Sequence, residues 1–266
     1  MSTYQLGFIG TGNMGGALAQ AAVKSGAGML LSNRTADKAV HLAAELGCAA
    51  GTNLEVAEGC KYIFLGVKPQ MLQALLAELT APLSARTDRP VLVSMAAGVT
   101  IRTIRETLGL PCPVVRIMPN LPVALGKGVV LISPDDTVTE DELTALEEAL
   151  KPAGLLMRMP EDKLDAGSAV SGCGPAFVAM FIEALGDAAV KHGVARADAY
   201  RMASQMIVGT GKLQLASGTH PGAMKDAVCS PGGTTIYAVS VLEEYGLRNA
   251  VIKACDACYE KCIDLK

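Results

Sequence analysis

The stretch that most restricts the fold of this chain is Gly10-Thr11-Gly12-Asn13-Met14-Gly15, which follows the apolar run Leu6 to Ile9 directly and leads into the Ala-rich segment Ala17 to Val23. An apolar run, a turn with glycine at its first, third and sixth places, and then a helix is the layout of a dinucleotide-phosphate loop. Each glycine has a physical task. Gly10 allows a tight turn, Gly12 lets backbone approach a pyrophosphate, and Gly15 lets helix pack on strand. The helix start adds unpaired N–H groups and the positive end of its dipole. No charged residue occurs from Met1 to Val23. That run is long enough for a membrane span or signal core, but Gly10, Gly12, Gly15 and Gly16 interrupt it and no basic segment precedes it. A strand, loop and helix are expected there, and no targeting segment.

Up to Met157, short aliphatic or β-branched runs alternate with helical stretches, which predicts parallel strands joined by helical crossovers. Six strands are expected: Gln5 to Ile9, Met29 to Ser32, Cys48 to Ala50, Tyr62 to Val67, Val91 to Met95 and Val114 to Met118. Gly128 to Ile132 and Leu155 to Arg158 add two more. Thr139 with Glu142 three places on forms a capping-box pattern ahead of Leu143, Leu146 and Leu150, so a helix starts there. After Pro160 the strand rhythm stops. Helices are predicted over Glu161 to Val170, Ala176 to His192, Ala197 to Ala216, Thr235 to Tyr245 and Leu247 to Ile263. Several look apolar on more than one side, the pattern of helices buried all round, and that much apolar surface invites dimerisation. With 266 residues, the chain is expected to form two modest domains. The first is a Rossmann-type, doubly wound α/β domain over 1–159. The second is an all-helical dimerisation and substrate domain over 160–266, packed tightly on the first through the connection from Arg158 to Asp165.

Lys plus Arg number 23 against 26 Asp plus Glu, a formal charge of −3, and no basic cluster marks a nucleic-acid surface. Eight cysteines in this length fall far short of a disulfide scaffold, so reduced thiols and a cytoplasmic location are expected, with no membrane partner. Cys255, Cys258 and Cys262 lie at helical spacing on one face beside Ile252 and Tyr259 with no histidine near, and read as small apolar residues. His41, His192 and His220 are scattered and form no metal or nucleophile motif. Met202 and Met206 read as core filling.

Binders of the unphosphorylated dinucleotide usually carry an Asp or Glu at the end of strand two. Here that position reads Ser32-Asn33-Arg34-Thr35. Hydroxyl, amide and guanidinium donors suit a 2′-phosphate, which a carboxylate would repel. NADPH is therefore the expected cofactor, with NADH used less well. Gly66-Val67-Lys68-Pro69, Ala96-Ala97-Gly98 and Met118-Pro119-Asn120 fall at the carboxyl ends of further strands, where open α/β sheets bind ligands, so Lys68 and Asn120 are candidates to face cofactor or substrate. In the helical half, Lys225 to Ile236 holds a Pro-Gly-Gly turn that opens onto a helix starting with threonines. Free N–H groups at such a start suit a substrate carboxylate; a plain capped helix after a turn is the alternative.

Pro221 to Met224 and Val228-Cys-Ser-Pro-Gly-Gly-Thr-Thr235 resemble the signature of the pyrroline-5-carboxylate reductase family. Ile9 to Gly15, Ser32 to Thr35, Val67 to Pro69, Ala96 to Gly98, Met118 to Asn120 and Ser171 to Ala176 resemble its other motifs, in order, over nearly the whole chain. The resemblance implies NADPH reduction of the cyclic imine 1-pyrroline-5-carboxylate to L-proline, the last step of proline synthesis. It also implies a homodimer, or a decamer built from dimers, joined through the helical domains. Carried over by position, Thr235 is the catalytic residue that bonds the ring nitrogen, and Gly232, Gly233 and Thr234 hold the carboxylate. Ile9, Gly10, Thr11, Gly12, Asn13, Met14, Ser32, Asn53, Gly66, Val67, Lys68, Pro69, Ala96, Ala97 and Gly98 fall at cofactor positions, beside Asn33 and Arg34 from the strand-two reading. Three positions depart from the family: Cys173 where serine is common, Phe177 where tyrosine is common, and Gly66 where alanine is common.

A protonated imine is already electrophilic, so its reduction needs a polar group to orient the nitrogen rather than a strong base, and a threonine hydroxyl can do that. Two other readings compete. A β-hydroxyacid dehydrogenase shares a glycine loop and a helical second half, but needs a lysine from a helix of its C-terminal domain. Lys191 and Lys212 are available, and neither lies in a matching motif. A nucleotide-binding sensor without catalysis would have no need of Thr235 and the Pro-Gly-Gly turn.

Overall fold

The structure, a computed structural model, describes residues 3–264. It contains two compact units, one running to Gly172 and including the chain from Cys258 on, the other covering 173–257. The first is built on strands β1 Tyr4–Ile9, β2 Met29–Ser32, β3 Ala49–Ala50, β4 Cys60–Leu65, β5 Val91–Ser94, β6 Val114–Pro119, β7 Gly128–Pro134 and β8 Gly154–Arg158. They form one sheet in the order β3-β2-β1-β4-β5-β6-β7-β8, whose first six strands follow the dinucleotide-binding order. Each expected strand is present. The fourth lies two residues earlier than its apolar run suggests, because Cys60 already pairs with Tyr4 and the chain leaves the sheet at Gly66.

The expectation of parallel pairing throughout is corrected at one place: β6 and β7 are antiparallel. Only residues 120–127 separate them, and a parallel return needs a crossover of about a dozen residues or more. The chain therefore turns back through a 3-10 segment, Leu121–Leu125. β7 and β8 are parallel again, with a helix between them.

Helices α1 Asn13–Ala22, α2 Ala36–Leu46, α3 Asn53–Gly59, α4 Pro69–Ser84, α5 Ile101–Leu108 and α6 Glu140–Leu150 connect the strands. α1, α2 and α6 cover one face with Leu6, Phe8, Phe64, Val93 and Ile117 beneath them. α3, α4 and α5 cover the other, over Ile9, Ile63, Leu65, Leu92 and Val114. This is the two-sided burial that near-continuous apolar strands require. Phe8 and Phe64, paired across β1 and β4, stack with ring centroids 4.3 Å apart. Helix α7 Glu161–Ser171 packs on β6 and β7, so this compact unit extends one helix past residue 159.

The second unit comprises α8 Gly174–Lys191, α9 Arg196–Ser217, α10 Pro221–Val228, α11 Thr234–Glu244 and most of α12 Leu247–Ile263. α8 and α9 pack closely because Gly186 makes room for Tyr200, whose ring would lie 2.3 Å from a Cβ there. α10 was not expected as a helix; Pro221 opens it and the His220 Nδ1 accepts from the Gly222 N–H at 3.1 Å. The expectation of helices buried all round is corrected within the single chain, where Leu215 is 74% and Tyr245 82% exposed. The stretch Glu161–Lys191 is long and apolar enough to cross a membrane by length and composition, and little of it is buried in the single chain.

Candidate active site

At the β1–α1 turn, three backbones meet more closely than side chains permit. Gly10 has φ +96°, and a Cβ there would lie 2.6 Å from the Gly66 carbonyl oxygen; a Cβ on Gly15 would lie 2.0 Å from the Gly10 oxygen. A Cβ on Gly66 would come within 2.4 Å of that same Gly10 oxygen, so the departure from alanine at this position suits the close crossing found here. Gly12 differs. Nothing lies within 4 Å of its would-be Cβ, so the fold itself does not demand glycine there and the space is left for a ligand. Gly12 is also the N-cap of α1 and provides no capping side chain, and no acidic residue occupies the first turn with Asn13 and Met14. The Thr11 hydroxyl oxygen is buried without a hydrogen-bond partner, a cost that an incoming phosphate or ribose oxygen would remove. These features fit a dinucleotide pyrophosphate.

The strand-two turn is tied to this loop. Gly10 N–H donates to the Ser32 carbonyl at 2.8 Å, and Thr11 N–H donates to Asn33 Oδ1 at 3.1 Å. Asn33 Nδ2 in turn donates to the Thr35 carbonyl at 3.1 Å. Ser32 Oγ donates to Asn53 Oδ1 at 2.7 Å, placing the start of α3 against the end of β2. Asn53 is held there by a capping box in which Thr52 accepts from the Glu55 N–H and the Glu55 carboxylate accepts from the Thr52 N–H. Its Nδ2 donates to both carboxylate oxygens of Glu78 at 3.2 Å. Arg34 is exposed, with its guanidinium 3.9 Å from Met71 Sδ.

The next two loops follow from the same sheet. Gly66 N–H donates to the Ile9 carbonyl at 2.8 Å; Val67 follows, and exposed Lys68 precedes Pro69, the first residue of α4. Ala96, Ala97 and Gly98 follow β5, with the Ala96 N–H on Ser94 Oγ at 3.3 Å. Asn120 is 7% exposed and its amide is already engaged: Nδ2 donates to the Ser171 carbonyl at 2.8 Å, and Oδ1 accepts from the Val129 N–H at 2.9 Å. Gly128 provides the room, since its Cβ would lie 2.8 Å from Asn120 Oδ1. Sequence reasoning missed Glu78, and also Arg116, a buried arginine at the centre of β6. A lone cation within Val-Val-Arg-Ile-Met was a visible signal for Arg116. Glu78 had none, because its partner lies 25 residues away.

In the helical unit, the turn Ser230 to Gly233 closes with the Gly233 N–H on the Ser230 carbonyl at 3.0 Å. Gly232 takes φ +66°, a left-handed conformation that side chains disfavour. Gly233 is the N-cap of α11 and no side chain caps this start. Thr234 and Thr235 therefore begin a helix whose first N–H groups are available, with Thr235 half-buried. The candidate residues include no carboxylate and no histidine. Among the described residues no group of three or more His, Cys, Asp and Glu side chains is placed to hold a metal.

The family profile described as "Pyrroline-5-carboxylate reductase dimerisation" matches residues 161–265, and the one described as "NADP oxidoreductase coenzyme F420-dependent" matches residues 5–98. Pyrroline-5-carboxylate reductase of Escherichia coli (strain K12) is 40% identical over 262 residues, covering 97% of this chain and 96% of that protein. The chain belongs to the pyrroline-5-carboxylate reductase family. The solved pyrroline-5-carboxylate reductase of Coxiella burnetii superposes with a TM-score of 0.90 at 30% identity, over 100% of this chain and 99% of that one. A pyrroline carboxylate reductase of Plasmodium falciparum, solved with NADP bound, gives 0.87 at 28% identity, over 100% and 99%. The family assignment includes an N-terminal NADP-linked Rossmann-like half and a helical dimerisation half, and sets aside the β-hydroxyacid dehydrogenase alternative.

Proposed function

We propose that this chain carries out its family's reaction, the NADPH-dependent reduction of 1-pyrroline-5-carboxylate to L-proline, and that the residues gathered above perform it. Ile9 to Met14 receive the pyrophosphate, with the Thr11 hydroxyl finding its partner there. Ser32, Asn33, Arg34 and Asn53 meet the adenosine ribose and its 2′-phosphate. Gly66 to Pro69 and Ala96 to Gly98 line the remainder of the nucleotide site. NADPH bound there would supply the hydride for the imine carbon and so become NADP+.

The observation that carries the substrate half is the Ser230 to Gly233 turn opening onto an uncapped α11. Gly232, Gly233 and Thr234 hold the ring carboxylate through the free main-chain N–H groups at this helix start, aided by the helix dipole, with Gly233 shaping the turn while its own N–H stays on the Ser230 carbonyl. The Thr235 hydroxyl bonds the ring nitrogen and keeps it oriented while the nitrogen retains its proton as the carbon–nitrogen double bond becomes single. Asn120 enters with one amide N–H left to offer, since its other groups are engaged.

The working form is a homodimer, or a decamer built from dimers, in the cytoplasm, with neither membrane nor nucleic acid as partner. Its functional division falls at 159/160, supported by the start of the dimerisation profile at residue 161. Loss of NADPH absorbance on adding pyrroline-5-carboxylate tests the reaction, with the six-membered homologue and NADH as comparisons. Thr235→Ala should lower turnover about tenfold or more, the worth of a lost hydrogen bond to a charged group, while nucleotide still binds. Unchanged steady-state kinetics would remove Thr235 from the mechanism.

A further inference from the structure

The strand-two corner carries two opposed charges that arrive from different elements. Arg34 lies in the turn itself, where the sequence places no carboxylate. The fold brings one from elsewhere: Glu78, on the exposed side of α4, accepts from Asn53 Nδ2 with both carboxylate oxygens at 3.2 Å. A carboxylate only accepts, so it must face the amide nitrogen. Asn53 Oδ1 is then turned toward Ser32, whose hydroxyl donates to it at 2.7 Å. Flipping the amide would set oxygen against carboxylate, so the order Ser32 to Asn53 to Glu78 is fixed. It consumes the one hydroxyl hydrogen of Ser32 and directs the Asn53 donor away to Glu78.

A 2′-phosphate needs donors and positive charge, whereas a free ribose 2′-hydroxyl can donate to an acceptor. Arg34, resting on Met71 Sδ, supplies the first requirement. Glu78 works in the other direction, by its own negative charge and by spending the Ser32 and Asn53 donors. We infer that Glu78 is a specificity-determining positioning residue for the nucleotide. Through Asn53 and Ser32 it gives the end of β2 acceptor character, admits the unphosphorylated ribose of NADH, and holds down the NADPH preference that Arg34 creates. This rests on the nucleotide reading of the corner given above.

The test is the pair of dissociation constants for NADP+ and NAD+, measured by calorimetry on the full-length protein and on its Glu78→Gln, Glu78→Ala, Ser32→Ala and Ser32→Ala/Glu78→Gln variants. Glu78→Gln should raise the affinity ratio of NADP+ over NAD+ about two- to fivefold, the scale of an exposed charge one hydrogen bond removed. Glu78→Ala should move it the same way. In the Ser32→Ala background the same substitution should move the ratio less, because the relay has lost its end and only the charge of Glu78 and its hold on Asn53 remain. Three results overturn the inference: both nucleotides weakened alike, no change in the ratio, or a full effect persisting without the Ser32 hydroxyl. A parent protein that binds both nucleotides yet reduces no imine sinks the proposed function and leaves the affinity ratio to judge Glu78. Binding of neither nucleotide overturns both.

Discussion

Arg116 is the largest fully buried side chain, 1% exposed, and it faces the α5 side of the sheet. Its Nη1 pairs with Glu161 at 2.9 Å and its Nη2 with Asp165 at 3.5 Å. The Glu161 oxygen also accepts from the Ile101 N–H at 2.7 Å. One cation therefore fastens both α7 and the start of α5, just beyond the Ala96 to Gly98 loop, to the centre of β6. Breaking such a cluster removes the positive charge that faces buried Asp165 and half-buried Glu161. Arg116→Ala should cost about 3–5 kcal/mol, read as a lowered urea midpoint; a loss under about 1 kcal/mol, the scale of an exposed pair, would contradict it. The residues legible in the sequence were those whose role is local. Gly10 and Gly15 are required by one turn, and their spacing alone announces it. Arg116, Glu78 and the double engagement of Asn120 depend on partners brought from distant parts of the chain, for which no spacing rule exists.

Helix α6 shows local and tertiary roles meeting in one element. The capping box expected from Thr139 and Glu142 is present: Glu142 N–H donates to Thr139 Oγ1 at 3.2 Å, and Thr139 N–H donates to Glu142 Oε2 at 3.1 Å. Thr139→Ala should lower stability by about 1 kcal/mol in denaturant unfolding. The sequence did not indicate that Glu142 also receives Lys61 at 2.8 Å and Arg89 at 3.2 Å, binding α6 to β4 and to the approach to β5. Burial pushes its carboxyl up, but hydrogen bonds from Lys61 and the Thr139 backbone, with the charges of Lys61 and Arg89, hold it below the usual range. A depressed folded-state value stabilises above the unfolded glutamate pKa of about 4.3 and is lost as pH falls through the folded one. Glu142→Gln should therefore flatten the acid limb of the stability profile below about pH 4.3, seen as unfolding midpoints that change less with pH than those of the parent.

At the level of the whole molecule, α8 to α12 leave large apolar side chains such as Met180 (69%), Leu215 (74%) and Tyr245 (82%) exposed in the single chain. Helices of that composition need cover, and the dimerisation profile spans the same stretch, 161–265, which supports oligomer formation. Sedimentation should accordingly give an even multiple of the 27.5 kDa chain; a catalytically active monomer at micromolar concentration would contradict the assembly. The sequence alone determined the number and approximate place of the strands, the glycine loop, the Thr139 cap and the change from sheet to helix, because hydrophobic period, turn chemistry and capping act over a few residues. Only the tertiary structure decided that β7 runs against β6, that the α8 to α12 surface stays open in one chain, that a glutamate from α4 meets Asn53, and that a buried arginine of β6 meets two carboxylates of α7. Those outcomes depend on which distant groups are brought within hydrogen-bonding reach, and charge and burial at that range follow from packing, which no short stretch of sequence specifies.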